Sequence, residues 1–236
     1  QGQLDEVAGK LGEFVARAIG SFAGDALPNF FGTGGKKIRP AATLLASRVV
    51  NQRSENSIIM ATAVELLHIA TLIHDDTVDM AQKRRGVATV NSIWGSPMAV
   101  LLGDYVFATS ATYVCDTGNI RVIRRFSETI MELAHGEMAE NLSKYNWDQT
   151  IQDYQDRIYR KTASLFTTAT ESGAVLSEAP ETVCQELKQY GYNLGMAFQI
   201  MDDILDFEGT EAELGKPVGN DLLSGVLTLP SLIFIK

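Results

Sequence analysis

At 236 residues, 45% of them hydrophobic, the chain can fill one large core or two small ones, and its formal charge of −9 excludes a nucleic-acid-binding surface. An anionic substrate is repelled as well, unless metal ions or a local basic cluster receive it. Cys115 and Cys184 have no paired C-x-x-C spacing, which gives a disulfide framework or a zinc site little support and leads us to expect free thiols and a reducing compartment, the cytoplasm. No run of about 18 uncharged apolar residues occurs, and Gln1-Gly2-Gln3-Leu4-Asp5-Glu6 does not resemble a signal peptide, so a soluble protein is expected, a removed targeting segment being left open. The sequence begins without methionine and stops inside the apolar run Ser231–Lys236, so truncation at both ends is also expected.

The six prolines, at 28, 40, 97, 180, 217 and 230, leave 56 positions free before Pro97 and 82 after it, room for long helices. Leu4 to Phe22 places Val7, Leu11, Phe14, Val15, Ala18, Ile19 and Phe22 at helical spacing. Pro28 to Gly35 reads as a glycine-rich loop, and Pro40 marks the entry to a helix over Ala41 to Val50. Ser57 to Val78 is apolar all round, as a central bundle helix must be. Met80 to Trp94 reads as a loop with a basic start. Helical periodicity resumes over Pro97–Tyr113, Ile120–Tyr145 and Thr150–Leu176. Pro180 to Phe207 gives one or two further helices closed by Gly209, and the loop Gly215–Gly219 leads to a last apolar segment. Strand signals are weak and no linker or repeat appears. The expected fold class is all-α, a single-domain helical bundle over residues 1–236.

Two acidic stretches end apolar segments. Asp75-Asp76-Thr77-Val78-Asp79 runs on to Arg84-Arg85-Gly86, and Asp202-Asp203-Ile204-Leu205-Asp206 repeats the D-D-x-x-D spacing. On a helix Asp75 and Asp79 share a face about 6 Å apart in rise. One copy alone fits a solvated helix end. Two copies at the unfavourable end of a helix dipole call for a charge partner, and a hard cation such as Mg²⁺ accepts a few carboxylates with water and phosphate. Lys36 and Arg39, at i and i+3 beside Gly34-Gly35, read as an oxyanion grip or an ordinary surface pair. His68, two turns before Asp75, is either a core histidine or a phosphate donor. Lys161-Thr162 reads as an interfacial helix position. Gln199, one turn before Asp202, serves a ligand or orients the aspartates. Lys216 is a lid over the site or simply solvated.

These elements in order resemble the trans-prenyltransferase family of polyprenyl diphosphate synthases, from Gly34 to Pro230. Gly35-Lys36-Lys37-Ile38-Arg39-Pro40 looks like the family's G-K-x-x-R-P, and the first aspartate-rich motif with Arg84-Arg85-Gly86 follows. Gly103-Asp104, Lys161-Thr162, Phe198-Gln199-Ile200-Met201-Asp202-Asp203 through Asp206, Gly215-Lys216 with Asp221, and Thr228-Leu229-Pro230 also match. The resemblance implies the isoprenoid synthase fold around a deep central cavity, usually in a homodimer. It implies three Mg²⁺ held by Asp75, Asp79 and Asp202, with Asp206 in support, around the diphosphate of an allylic substrate. Arg84, Lys161, Thr162, Gln199 and Lys216 would hold or face that substrate, and Lys36, Arg39, His68 and Arg85 would bind isopentenyl diphosphate. Lys161, Thr162 and Gln199 would offer oxygen dipoles to the allylic cation, and the released diphosphate would take the proton. Two departures stand out: Val226 replaces a lysine frequent in the family, and Glu140 a common glutamine.

Ala70 and Thr71 lie one turn before Asp75, with Leu67, Val64 and Ala63 deeper. In the family, bulky aromatics there cap the product, and short-chain bacterial members carry a two-residue insertion that is missing here. The resemblance therefore implies an all-trans product longer than C20, released to a membrane, although the stop can also lie within Val100–Phe107 or near Met131 and Leu133. The alternatives are a geranylgeranyl (C20) synthase, a class I terpene cyclase, and a non-catalytic subunit of a heteromeric synthase. The second D-D-x-x-D with Lys36 and Arg39 counts against the cyclase, and the intact aspartates against the subunit.

Overall fold

The computed structural model describes residues 2–18, 35–50, 54–84, 86–209 and 218–235. Helices account for nearly all of them, as expected: α1 Gly2–Ala18, α2 Ile38–Ser47, α3 Glu55–Val78, α4 Val90–Trp94, α5 Ser96–Asp116, α6 Ile120–Ser143, α7 Ile151–Ile158, α8 Ser164–Leu176, α9 Glu181–Glu208, α10 Asn220–Leu223 and α11 Leu229–Ile235. A 3-10 turn, Arg48–Val50, follows α2, and a π-helical turn, Tyr159–Ala163, joins α7 to α8. Thr150–Leu176 is thus not one regular helix. Met80–Trp94 is not a plain loop either: Lys83–Arg84 (β1) pairs antiparallel with Val87–Ala88 (β2), and α4 follows, with Thr89 Oγ1 accepting from Ser92 N at 3.1 Å as its cap. Two-residue strands carry too little alternation to be read from sequence.

The chain divides into two compact units. The first, Gln1–Arg124 with Ala169–Cys184, is organised on α3. Fifteen of the 24 residues of α3 are buried, on all sides of the helix, which is why its sequence is apolar all round. Val7, Leu11 and Phe14 of α1, Leu44 of α2, and Ala99 and Val106 of α5 join Ile58, Leu66, Ala70 and Ile73 of α3 in one apolar cluster. Each large side chain so buried contributes about 1.5–3 kcal/mol. Both α3 and α5 are long and apolar enough to cross a membrane. The most apolar stretch of α3 is 72% buried, as in a core helix, whereas that of α5 is 28% buried.

The second unit comprises Arg125–Thr168 and Gln185–Lys236. Tyr154, Ile158, Ala163, Met196, Leu227 and Leu232 form its apolar cluster. A capping box starts α7: Thr150 Oγ1 accepts from Asp153 N, and the Asp153 carboxylate accepts from Thr150 N. Arg157 is buried, donating to Gln149 Oε1 at 2.6 Å and to Leu227 O at 2.5 Å, so α7 anchors the segment that enters α11. The expected ends of α9 hold, with Gly209 N bonded to Leu205 O at 2.8 Å.

Candidate active site

In the first unit α3 closes on the first acidic stretch, where Asp79 N donates to Asp75 O at 2.8 Å. Asp75 is half-buried and Asp79 exposed, on consecutive turns. Asp76, rotated off that face, is 2% exposed and accepts from Arg84 Nε at 2.8 Å, which fastens β1 to the helix end. Burial pushes the Asp76 carboxyl above its ordinary range, against the opposing pull of Arg84. Protein therefore supplies the charge partner of this middle aspartate, and Arg84, expected at the allylic diphosphate, uses its Nε edge there.

Sequence reasoning missed His74. Its Nε2 lies 3.4 Å from Asp104 Oδ1 and 3.3 Å from Val100 O, and a Cβ on Gly103 would stand 2.2 Å from that same atom. Gly103-Asp104 is thus a gap in α5 that admits the imidazole preceding Asp75, with a carboxylate beside it. A glycine inside an otherwise apolar helix was the available signal.

Lys36 is exposed just before α2 and Arg39 half-buried in its first turn, which the chain enters through Lys37 in the left-handed region (φ 46, ψ 40). His68 is half-buried on α3, and its carbonyl accepts from Thr71 Oγ1 at 2.8 Å. Arg85 and Lys216 lie outside the described residues.

In the second unit, Thr162 and Gln199 come together as expected: Thr162 Oγ1 donates to Gln199 Oε1 at 2.6 Å. Gln199 pairs onward with Asp203 and not Asp202, its Nε2 donating to Asp203 Oδ1 at 2.8 Å across one helical turn. Tyr154 O–H donates to Asp203 Oδ2 at 2.6 Å. Asp203, 2% exposed, has its carboxyl raised by burial against the lowering effect of these two donors. Asp202 is exposed. Asp206 is fully buried, its Oδ2 accepting from Asp221 N at 3.2 Å and its carbonyl from Gly219 N at 2.7 Å, so it holds the start of α10.

Lys161 and Thr162 sit in the π-helical turn, a wide turn that recurs at functional positions. Two glycines let neighbouring helices approach it: a Cβ on Gly136 of α6 would lie 2.7 Å from Lys161 N, and one on Gly195 of α9 would lie 2.5 Å from Ala163 Cα. Lys161 Nζ is 3.0 Å from Glu137 Oε2 and in closer contact with Glu140 Oε1. Glu140, the departure from the family pattern, therefore supplies a second carboxylate to this lysine.

Among the described residues no three His, Cys, Asp or Glu side chains gather into a metal cage. The accessible donors, Asp75, Asp79 and Asp202, are hard oxygens, which fits an ion that takes one or two carboxylates at a time and completes its octahedron with water and phosphate.

The polyprenyl synthetase family profile matches residues 23–236. A heptaprenyl diphosphate synthase component 2 from Geobacillus stearothermophilus is 44% identical over 89% of the chain, and a prenyl transferase from Synechocystis sp. 40% identical over 97%. The crystal structure of heptaprenyl diphosphate synthase from Staphylococcus aureus superposes with a TM-score of 0.93 at 38% identity over 98% of the chain. The chain spans 65%, 73% and 73% of these three proteins, respectively. The fold is therefore the isoprenoid synthase fold, and the class is that of prenyltransferase enzymes. The chain belongs to the polyprenyl synthetase family.

Proposed function

We propose that this chain catalyses head-to-tail addition of isopentenyl diphosphate to an allylic diphosphate (geranyl, farnesyl or geranylgeranyl), giving an all-trans polyprenyl diphosphate longer than C20. The observation that carries this reading is the shared construction of the two acidic stretches. In each, the middle aspartate is buried and bonded to protein, Asp76 through Oδ1 to Arg84 and Asp203 through both oxygens to Tyr154 and Gln199, while the first, Asp75 or Asp202, keeps access to solvent. Carboxylates fixed in this way are pre-oriented to bind ions together with a phosphate-bearing substrate. Heptaprenyl synthases among the similar proteins support the product length, and the family profile's single span supports one synthase domain.

Asp75, Asp79 and Asp202 would hold magnesium, with Asp206 in support, three ions being expected with substrate bound; bound there, they would supply positive charge to the departing diphosphate. Arg84, Lys161 and Lys216 grip the allylic diphosphate, and Lys36, Arg39, His68 and Arg85 hold isopentenyl diphosphate. Lys161 leaves one carboxylate partner for the incoming phosphate. Thr162 and Gln199 present oxygen to the allylic carbons, buried apolar side chains exclude the water that would quench a cation, and the released diphosphate takes the final proton.

The chain works as a homodimer in the cytoplasm, a partner copy covering the exposed apolar side chains Leu101 and Tyr105 of α5. A second reading, favoured by the relative named as a component 2, is that turnover needs a second kind of chain. Incubating the purified chain alone with isopentenyl diphosphate, farnesyl diphosphate and Mg²⁺, then chromatographing the products, tests both. Products beyond C20 are expected. A C20 product refutes the long-chain reading, and absence of turnover in the isolated chain favours the two-component one.

A further inference from the structure

Tyr154 and Asp203 are not among the residues assigned above to substrate or ion, and both are buried, at 1% and 2% exposed. Yet they end a chain of hydrogen bonds that reaches Thr162, and the direction of every bond in it is determined. Both oxygens of the Asp203 carboxyl accept. Tyr154 O–H occupies Asp203 Oδ2 at 2.6 Å, and the second oxygen, Oδ1, faces the Gln199 amide at 2.8 Å, so the end of that amide turned to Asp203 is its NH₂. The Gln199 carbonyl is then turned to Thr162. A carbonyl also only accepts, which leaves the Thr162 hydroxyl, 2.6 Å away, as donor. Burial, and then the bond to Asp203, push the Tyr154 phenol above its ordinary range, in keeping with its place as the donor.

We propose that Tyr154 and Asp203 are positioning residues that set the polarity of the Thr162 hydroxyl, locking its hydrogen inward onto Gln199 so that only oxygen lone pairs face the reacting allylic carbons. The inference rests on the prenyltransferase reading above. With the amide reversed, Thr162 accepts from Gln199 and turns its own hydrogen outward, toward positive charge and as a proton source. One buried carboxylate therefore chooses between an oxygen that stabilises a cation and a hydroxyl that opposes it.

The test uses the full chain with D203N, Y154F, T162V and T162S, measuring kcat, KM for each diphosphate, and Tm. D203N, nearly isosteric, introduces an amide that lets Gln199 reverse, and kcat is expected to fall about 10²-fold with both KM values within about threefold of wild type. Y154F leaves Gln199 bonded to Asp203 and should cost on the order of tenfold in kcat. T162S should keep most of the activity, and T162V should lose about 10³-fold in kcat while remaining measurable. The deciding measurement is the double variant Y154F/T162V: if Tyr154 acts through Thr162, its kcat equals that of T162V alone, and D203N/T162V behaves in the same way. Multiplying losses, or a KM change matched by a drop in Tm, overturn the proposal in favour of a packing role. Should D203N fail to fold, the Y154F cycle decides alone. Wild type inactive toward both diphosphates sinks the reading on which this inference rests, that the chain alone performs prenyl transfer, whereas an active wild type with a fully active T162V sinks this inference only.

Discussion

Gly195→Ala tests whether the π-helical turn is held as tightly as its geometry implies. Gly195 lies in the interior of α9, where alanine is ordinarily the better residue by about 1 kcal/mol. Here the added Cβ would stand 2.5 Å from Ala163 Cα, 2.8 Å from Ala163 Cβ and 3.1 Å from Phe166 Cβ. Carbon atoms pack at about 3.5–4.0 Å, so α9 and the turn must part by roughly 1 Å, and none of the opposing atoms is the far end of a flexible side chain. Overpacking of this kind costs about 1–3 kcal/mol, which after the helix-propensity gain leaves a net loss of about 1 kcal/mol and a Tm lower by roughly 3 °C. The same two backbones carry Gln199 and Thr162, bonded at 2.6 Å. A displacement of about 1 Å between a positioning pair costs on the order of 10²-fold in kcat. Calorimetry and steady-state turnover of prenyl transfer read the two effects separately. Gly12→Ala is the control: at an exposed position of α1, with nothing within 4 Å of its Cβ, it should raise Tm and leave kcat unchanged. If Gly195→Ala behaves like Gly12→Ala, stabilising the chain at full activity, the tight contact and the role drawn from it are both refuted.

Asp75→Ala should lower turnover by at least about 10²-fold while far-ultraviolet circular dichroism stays helical, since it removes an accessible carboxylate and relieves crowding of like charge; near-normal turnover would rule out its role as a ligand. Ala70→Phe should shorten the product, read by chromatography, and lower Tm as well, because Ala70 is fully buried in the apolar cluster of the first unit and the added ring costs about 1–3 kcal/mol; a lower Tm with unchanged chain length moves the floor of the product site elsewhere. Leu101→Glu, on the exposed side of α5, should turn the proposed dimer into monomer in sedimentation velocity, and an unchanged oligomer would place the interface on another face.

The helices were legible because burial wrote itself into the sequence. An all-apolar Ser57–Val78 packs on every side, and the spaced Val7, Leu11 and Phe14 bury one stripe. The acidic stretches were legible as motifs but not in their division of labour. All six aspartates look alike in sequence, whereas a helix turns each successive side chain by about 100°, so Asp76 and Asp203 point into packed protein while Asp75 and Asp202 stay accessible. The Gln199–Asp203 bond was within reach of sequence reasoning, being an i, i+4 pair. Tyr154 was not, because its partner lies 49 positions away and nothing local marks a buried tyrosine as a donor.

The π-helical turn was hidden for a related reason. Inserting one residue into a long run such as Thr150–Leu176 shifts the apolar stripe by a quarter turn, which a periodicity of 3.6 averaged over the run does not register. What the sequence does carry is the pair Gly136 and Gly195, each at a place where its own helix would prefer alanine. A helix interior that keeps glycine against its propensity is close to something. Here both glycines are close to the same turn, from two helices, and that turn carries Lys161 and Thr162. Their positions are thus specified from outside the local sequence, by space left on α6 and α9, which is why the motif could be recognised before the geometry that makes it work could be derived.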